Sequence, residues 1–263
     1  MMFIDWIDNS LTQSLILSPV MGVLFGALFS GLTKSPELNS PRTIIKTREV
    51  YRERVIYRNS RSQSSSKDAR GIIGLAAFGL MMTIWQYAIW AVEIQHYIEY
   101  SILSVLSFSI TTALISIYKG HFTSQEWWFY VIFPIVFLCF AMYLLSEASS
   151  RFDPRITTLA KDTNWIQFYL HSLSGYGRNF MISHVIGIVT LAGLILTTTI
   201  ILIHYLSLMN QRTSSSVQMF WTFLVGVTGV FSGRKGIVVS SVLAIISFLL
   251  INEHVARWAT TSA

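Results

Sequence analysis

The chain has 263 residues, of which 52% are hydrophobic and only 12% charged, with a formal net charge of +6. Several uncharged stretches reach or approach the roughly 20 residues needed to cross a hydrocarbon core of about 30 Å, which excludes an ordinary soluble domain and points to a multi-pass membrane protein. Cys139 is the only cysteine, so neither a disulfide framework nor a cysteine-based metal site is available.

Residues 3–10 read FIDWIDNS, acidic where a secretory signal would be basic, and no cleaved leader is expected. The first span covers residues 11–32. Within it Ser18, Gly22, Gly26 and Ser30 recur every four residues, forming a ridge of small side chains against which another helix can pack closely. A neighbouring helix of the same chain or a second subunit is expected there. Pro19 kinks this helix or marks its start.

Residues 34–70 then carry ten Lys and Arg against four Asp and Glu, a surplus equal to the net charge of the whole chain. Residues 43–58 read TIIKTREVYRERVIYR, in which Val50-Tyr51-Arg52 nearly repeats six residues later as Ile56-Tyr57-Arg58. A six-residue repeat keeps its face in a strand but not in a helix. In a strand Lys46, Arg48, Arg52, Arg54 and Arg58 share one face, and Ile45, Tyr51, Val55 and Tyr57 the other. Residues 59–67, NSRSQSSSK, form a flexible tether by composition. A short cytosolic basic strand or hairpin arm is therefore expected, with Lys46, Arg48, Tyr51, Arg52, Arg54, Tyr57 and Arg58 as its partner-binding residues. Lipid headgroups would engage the charge. The apolar face favours a cytosolic protein or self-pairing in a homo-oligomer. Nucleic acid is disfavoured, because Tyr interleaved with Arg suits it but no nucleic-acid-binding motif is present.

Further spans are expected at residues 71–92, 100–118, 127–146 and 182–209. Two shorter ones, 217–232 and 236–251, are parted only by Gly233 to Gly236 and read as a tight terminal hairpin that crosses or dips partway. Trp85, Tyr87 and Trp90 close the second span, and Trp127, Trp128 and Tyr130 open the fourth, as membrane-interface anchors. Ser104, Ser107 and Thr111 fall on one face of the third span, which suits helix packing or a polar, uncharged pore. Glu93, His96 and Glu99, in the short connection expected before it, are spaced three apart on what reads as an extension of the second helix, so that their side chains approach one face, and they read as a solvated helix end rather than a metal site. No Asp, Glu, Lys or Arg lies deep in a span, which disfavours a proton- or ion-coupled transporter. Gln86, His184 and His204 lie toward span ends and read as interfacial or helix-bonding groups.

In residues 147–181, Asp153 and Pro154 signal a helix start. Ile156, Leu159, Thr163, Ile166, Leu170 and Leu173 share a face, and Gly175 is placed to end an amphipathic interfacial helix. Ser174, Gly175, Tyr176 and Gly177 follow, then a span. That order resembles the pore helix, filter and inner helix of potassium channels. Such filters read TVGYG followed by an acid, whereas Leu173 stands in place of the threonine and Arg178 in place of the acid. The resemblance implies a re-entrant Gly-Tyr-Gly loop in that corner of the chain only.

The fold class is thus all-α and polytopic, with six or seven transmembrane helices, one interfacial helix and the arm. Its parts are residues 1–33 (N-terminal tail and first span), 34–70 (arm and linker), 71–146 (three spans), 147–181 (interfacial helix) and 182–263 (fifth span and hairpin). The Lys and Arg bias sets the arm in the cytoplasm and the N-terminus outside, in what is expected to be a bacterial inner membrane. Lys119 and Arg212 then fall inside and residues 147–181 outside. Arg234 and Lys235 also fall outside, against the rule. No nucleophile elbow, Walker loop or HExxH is present, so no catalytic residue, metal or cofactor is expected. The expected function is a non-enzymatic membrane subunit that oligomerises and anchors or senses for a cytosolic partner; a pore through the third span or the Gly-Tyr-Gly loop is the alternative. A membrane component of a bacterial multi-protein system, such as one for phage defence, is a third expectation drawn from protein type alone.

Overall fold

The computed structural model describes residues 66–120, 127–211, 218–231 and 233–252, together with residues 26, 29, 254 and 255. Side chains of the first of these stretches are described from Phe78 onward. Most of the first span and residues 34–65 of the basic arm lie outside the described residues, and so does any strand at residues 43–58, whereas residues 66–70, the end of the arm and its tether, are the first helical residues of α1.

The described chain is all-α, without a strand. Helix α1 is Ser66–Ile89 and α2 is Ala91–Tyr118. A π turn at Trp128–Ile132 leads into α3, Phe133–Arg151. Two short helices follow, α4 at Pro154–Asp162 and α5 at Trp165–Gln167, the latter extended by a π turn at Phe168–Ser172. Helix α6 is Gly175–Gln211, α7 is Gln218–Thr228 with a 3-10 turn at Gly229–Phe231, and α8 is Gly233–Ile251. Among the described residues four segments are long and apolar enough to cross a membrane: α2, α3 with its π turn, α6 and α8. The protein is a multi-pass integral membrane protein.

The 37 residues of α6 extend about 55 Å at 1.5 Å per residue, well beyond a core of about 30 Å. It is the axis of the bundle, with α3, α7 and α8 packed along it and α2 packed on α3. Small residues make the tightest of these contacts. On α8, Gly236, Ser240, Ala244 and Ser247 form the buried face, and Ser247 Oγ donates to the Gly187 carbonyl at 3.0 Å. A Cβ on Gly187 would meet Ile251 Cγ1 at 2.9 Å. Close backbone approach is what associates helices where lipid removes the hydrophobic driving force between them.

Four expectations are corrected. The connection at residues 93–99 is not a loop, and the helical reading of Glu93, His96 and Glu99 holds: α1 and α2 meet end to end at Trp90, whose N–H bonds the Gln86 carbonyl and whose carbonyl receives the Ile94 N–H. The i, i+3 spacing of Glu93, His96 and Glu99 suits that helix, and His96 Nδ1 lies 3.5 Å from Glu99 Oε2.

The interfacial segment is broken rather than continuous. Asp153 caps α4 as expected, accepting the Arg155 N–H at 2.9 Å, but Thr163 and Asn164 are extended and end it. Trp85 Nε1 donates to the carbonyls of Ala160 and Thr163 at 2.9 and 3.3 Å, satisfying orphan acceptors at that helix end.

Gly175 opens a helix instead of closing one, because Ser174 Oγ accepts the Gly177 N–H at 3.0 Å as an N-cap. Gly175, Tyr176 and Gly177 therefore lie in the first turn of α6 and form no re-entrant filter loop.

The terminal hairpin is also absent. Gln211 Nε2 reaches Thr222 at 3.3 Å, His204 Nδ1 reaches Thr228 at 2.8 Å, Gly236 abuts Ile201, and Ile251 abuts Gly187. As the chain advances from 222 to 251, its partner on α6 retreats from 211 to 187. Helices α7 and α8 are thus successive pieces of one antiparallel return along α6, joined by a bend at Gly233, whose φ of 58° suits glycine.

Candidate functional site

Helices α2 and α6, with Phe29 from the first span, border a cavity of about 580 Å³ lined by Ser104, Ser107, Thr111 and Thr199 among aliphatic residues. The structure therefore brings the three proposed pore hydroxyls together and adds a fourth. Thr111 Oγ1 donates to the Ser107 carbonyl at 2.9 Å and Thr199 Oγ1 to the Ile195 carbonyl at 2.8 Å. Those protons satisfy backbone acceptors of their own helices, and what these threonines offer the cavity is acceptor oxygen. Phe29 and Phe108 wall it, their rings 5.2 Å apart. The lining is uncharged and mostly apolar, its polarity confined to these four hydroxyls, without the charged rings or converging carbonyls that select ions.

Of the ridge residues only Gly26 lies within the described residues. It is exposed, and a Cβ built on it meets nothing within 4 Å. Ser18, Gly22 and Ser30 lie outside, as do Lys46, Arg48, Tyr51, Arg52, Arg54, Tyr57 and Arg58 of the arm.

Two buried polar clusters were not assembled by sequence reasoning. At one end of the bundle Gln95 Nε2 donates to the Tyr87 hydroxyl at 3.0 Å, and that hydroxyl lies 3.0 Å from His184 Nε2. Which of the Tyr87 hydroxyl and His184 Nε2 is the donor follows from the imidazole tautomer. Phe152 and Phe180 flank the imidazole at 5.6 and 5.3 Å, and His184 is only 1% exposed. One chain of bonds thereby ties α1, α2 and α6. In the interfacial segment nearby, burial raises the pKa of the Tyr169 phenol while Arg178 acts to lower it.

At the other end Trp127 Nε1 donates to Ser116 Oγ at 2.7 Å, and Ser116 Oγ lies 3.0 Å from the Tyr205 hydroxyl. Tyr205 stacks on Tyr130 with centroids 6.2 Å apart. Next to them Thr228 donates to the Leu224 carbonyl and so accepts from His204 Nδ1. The sequence signals were Tyr87, Trp127 and Tyr130, read as interface anchors, and the pair His184 and His204, 20 residues apart on one helix, about 30 Å at helical rise and so one hydrocarbon thickness.

The same end carries Lys119, Arg234 and Lys235 with no described acidic residue beside them, whereas Arg151, Arg155, Lys161 and Arg178 lie at the other end among its carboxylates. Gly233 sits beside the Tyr130 hydroxyl, so Arg234 and Lys235, both exposed, lie toward the end that holds Ser116 and Lys119, not the opposite one. The exception to the charge rule arose from the hairpin assumption. The other end carries Glu93, Glu99, Glu147 and Asp153, with an Arg151–Glu147 ion pair of 3.0 Å. Between α2 and α3 near that end, Gln95, His96, Glu99, Cys139 and Ser146 line a groove of about 790 Å³. Among the described residues no three His, Cys, Asp or Glu converge as a metal site would require. Comparison with protein families, with characterised proteins and with solved structures finds no match to this chain.

Proposed function

We propose that the protein is a non-enzymatic, oligomer-forming membrane subunit that anchors or senses for a cytosolic protein through its basic arm, with the arm cytoplasmic and the N-terminus outside in a bacterial inner membrane. The observation that carries this reading is the two-faced repeat of residues 43–58, cationic on one side and Tyr/Val-rich on the other, on a serine-rich tether. Two features of the bundle support it. Phe29, five residues before Lys34, packs on Phe108 in the half of α2 nearer Lys119. At the same end α7, too short to span, exposes Met219, Phe223, Val227 and Val230 at helical spacing, an apolar stripe beside the cations such as protein partners use.

Replacing Arg48, Arg52, Arg54 and Arg58 together by Glu is expected to release a co-purifying cytosolic protein while membrane insertion is unchanged. Pull-down from crosslinked membranes followed by mass spectrometry reads this, and undiminished co-purification refutes the reading.

The hydroxyl-lined cavity favours a second reading, a weakly selective pore. On that reading purified protein in planar bilayers conducts, and Ser104→Ala with Thr111→Ala changes the current severalfold. Silence across voltages and salts removes it.

A further inference from the structure

We infer that the outer face of α8 is a binding site for an anionic phospholipid, its phosphate held by Arg234 and Lys235 and its acyl chain laid along the helix below them. Arg234, Val238, Val242 and Ile245 recur at i, i+4, i+8 and i+11, and all four are exposed. They form the side opposite the buried Gly236, Ser240, Ala244 and Ser247. A cation thus heads a continuous apolar stripe. From Arg234 to Ile245 the stripe descends about 16 Å at helical rise, close to the depth of one leaflet, half of a core of about 30 Å.

Charge complementarity selects the occupant. No Asp or Glu occurs anywhere between Asp162 and Glu253, and among the described residues neither Arg234 nor Lys235 makes an ion pair. Lys119 lies toward the same end. A zwitterionic lipid would bring its own ammonium into this cationic field, whereas phosphatidylglycerol brings net negative charge alone. Arg and Lys here can reach the headgroup region while their stems lie along apolar surface. The site is independent of the arm, so it stands or falls separately from the proposed function.

The test uses the full chain in mixed-lipid nanodiscs, followed by native mass spectrometry of retained lipid. Phosphatidylglycerol is expected to outlast phosphatidylcholine. Each such cation contributes roughly a factor of five toward an anionic surface, so Arg234→Gln with Lys235→Gln should cut retention by about twentyfold, whereas Arg178→Gln at the other end should not. Equal retention of the two lipids, or no loss in the double variant, overturns the site.

A second measurement leaves the cations intact. With Cys139→Ser as background, a fluorophore on Val242→Cys should be quenched more by brominated phosphatidylglycerol than by brominated phosphatidylcholine. Equal quenching overturns the proposal, as does efficient Ile245→Cys crosslinking between copies, which would assign the face to a second chain.

Discussion

Gly236→Ala is expected to be among the most destabilising single-methyl changes in the protein, lowering the unfolding free energy by about 3 kcal/mol, the upper end of overpacking costs. A Cβ at this position collides with the Phe231 carbonyl and stands 2.9 Å from Ile201 Cδ1. The first obstacle is backbone of the 3-10 turn and the second a side chain of α6, so relief on one side tightens the other. The bend that converts α7 into α8 would have to open, withdrawing the small-residue face of α8 from α6. Gly79 provides the contrast. It lies inside α1 with nothing within 4 Å of an added Cβ, and Gly79→Ala should stabilise by about 0.5–1 kcal/mol through helix propensity. Unfolding of both variants in mixed micelles by SDS titration distinguishes them. Equal midpoints would mean that the bend at Gly233 is not held as described.

The difference between those two glycines is invisible in sequence, and it illustrates where sequence reasoning stopped. Hydropathy located these membrane helices well: residues 100–118 and 182–209 fall within α2 and α6, and 127–146 begins one residue before the π turn that leads into α3. Lipid demands that every backbone polar group be bonded within its own segment, so length and composition suffice for helices. Connection is a different matter. Gly-Arg-Lys-Gly at 233–236 suits a reversal or a bend, and only Ile201 and Gly187 as partners on α6 decide between them. Likewise Gly175 satisfies the composition of a helix end, but the Ser174 hydroxyl caps the following helix and reverses the reading.

Faces were legible where a single helix carries them. Ser104, Ser107 and Thr111 were placed on one side by period alone, and they do share a cavity. Thr199 completes that lining from a helix some 90 residues later, which no periodicity reveals. The small-residue face of α8 was as readable as the ridge at Ser18, Gly22, Gly26 and Ser30. It passed unremarked because a helix assigned to a two-membered hairpin needed no other partner.

Tyr87→Phe should cost about 2–3 kcal/mol, because it removes the central link of the Gln95–Tyr87–His184 chain and strands the Gln95 amide and the His184 ring nitrogen together. Interhelical hydrogen bonds in membranes average only about 0.6 kcal/mol, since unfolded segments find other partners in the bilayer. The larger figure applies where the stranded groups cannot reach water, and Gln95, Tyr87 and His184 are 7%, 5% and 1% exposed. The same burial makes the interaction separable by a double-mutant cycle. His184→Phe leaves the Tyr87 hydroxyl without its imidazole partner, and each single variant therefore carries a penalty that the Tyr87→Phe/His184→Phe double partly escapes. The double is expected to be less destabilised than the sum of the singles by about 1–2 kcal/mol. Gln95→Ala should fall between, since Tyr87 then loses a donor to its oxygen but keeps its bond to His184. Strictly additive losses would mean that the three side chains act separately, and that α1 is fixed to the bundle by the Trp85 bonds to α4 rather than by this chain.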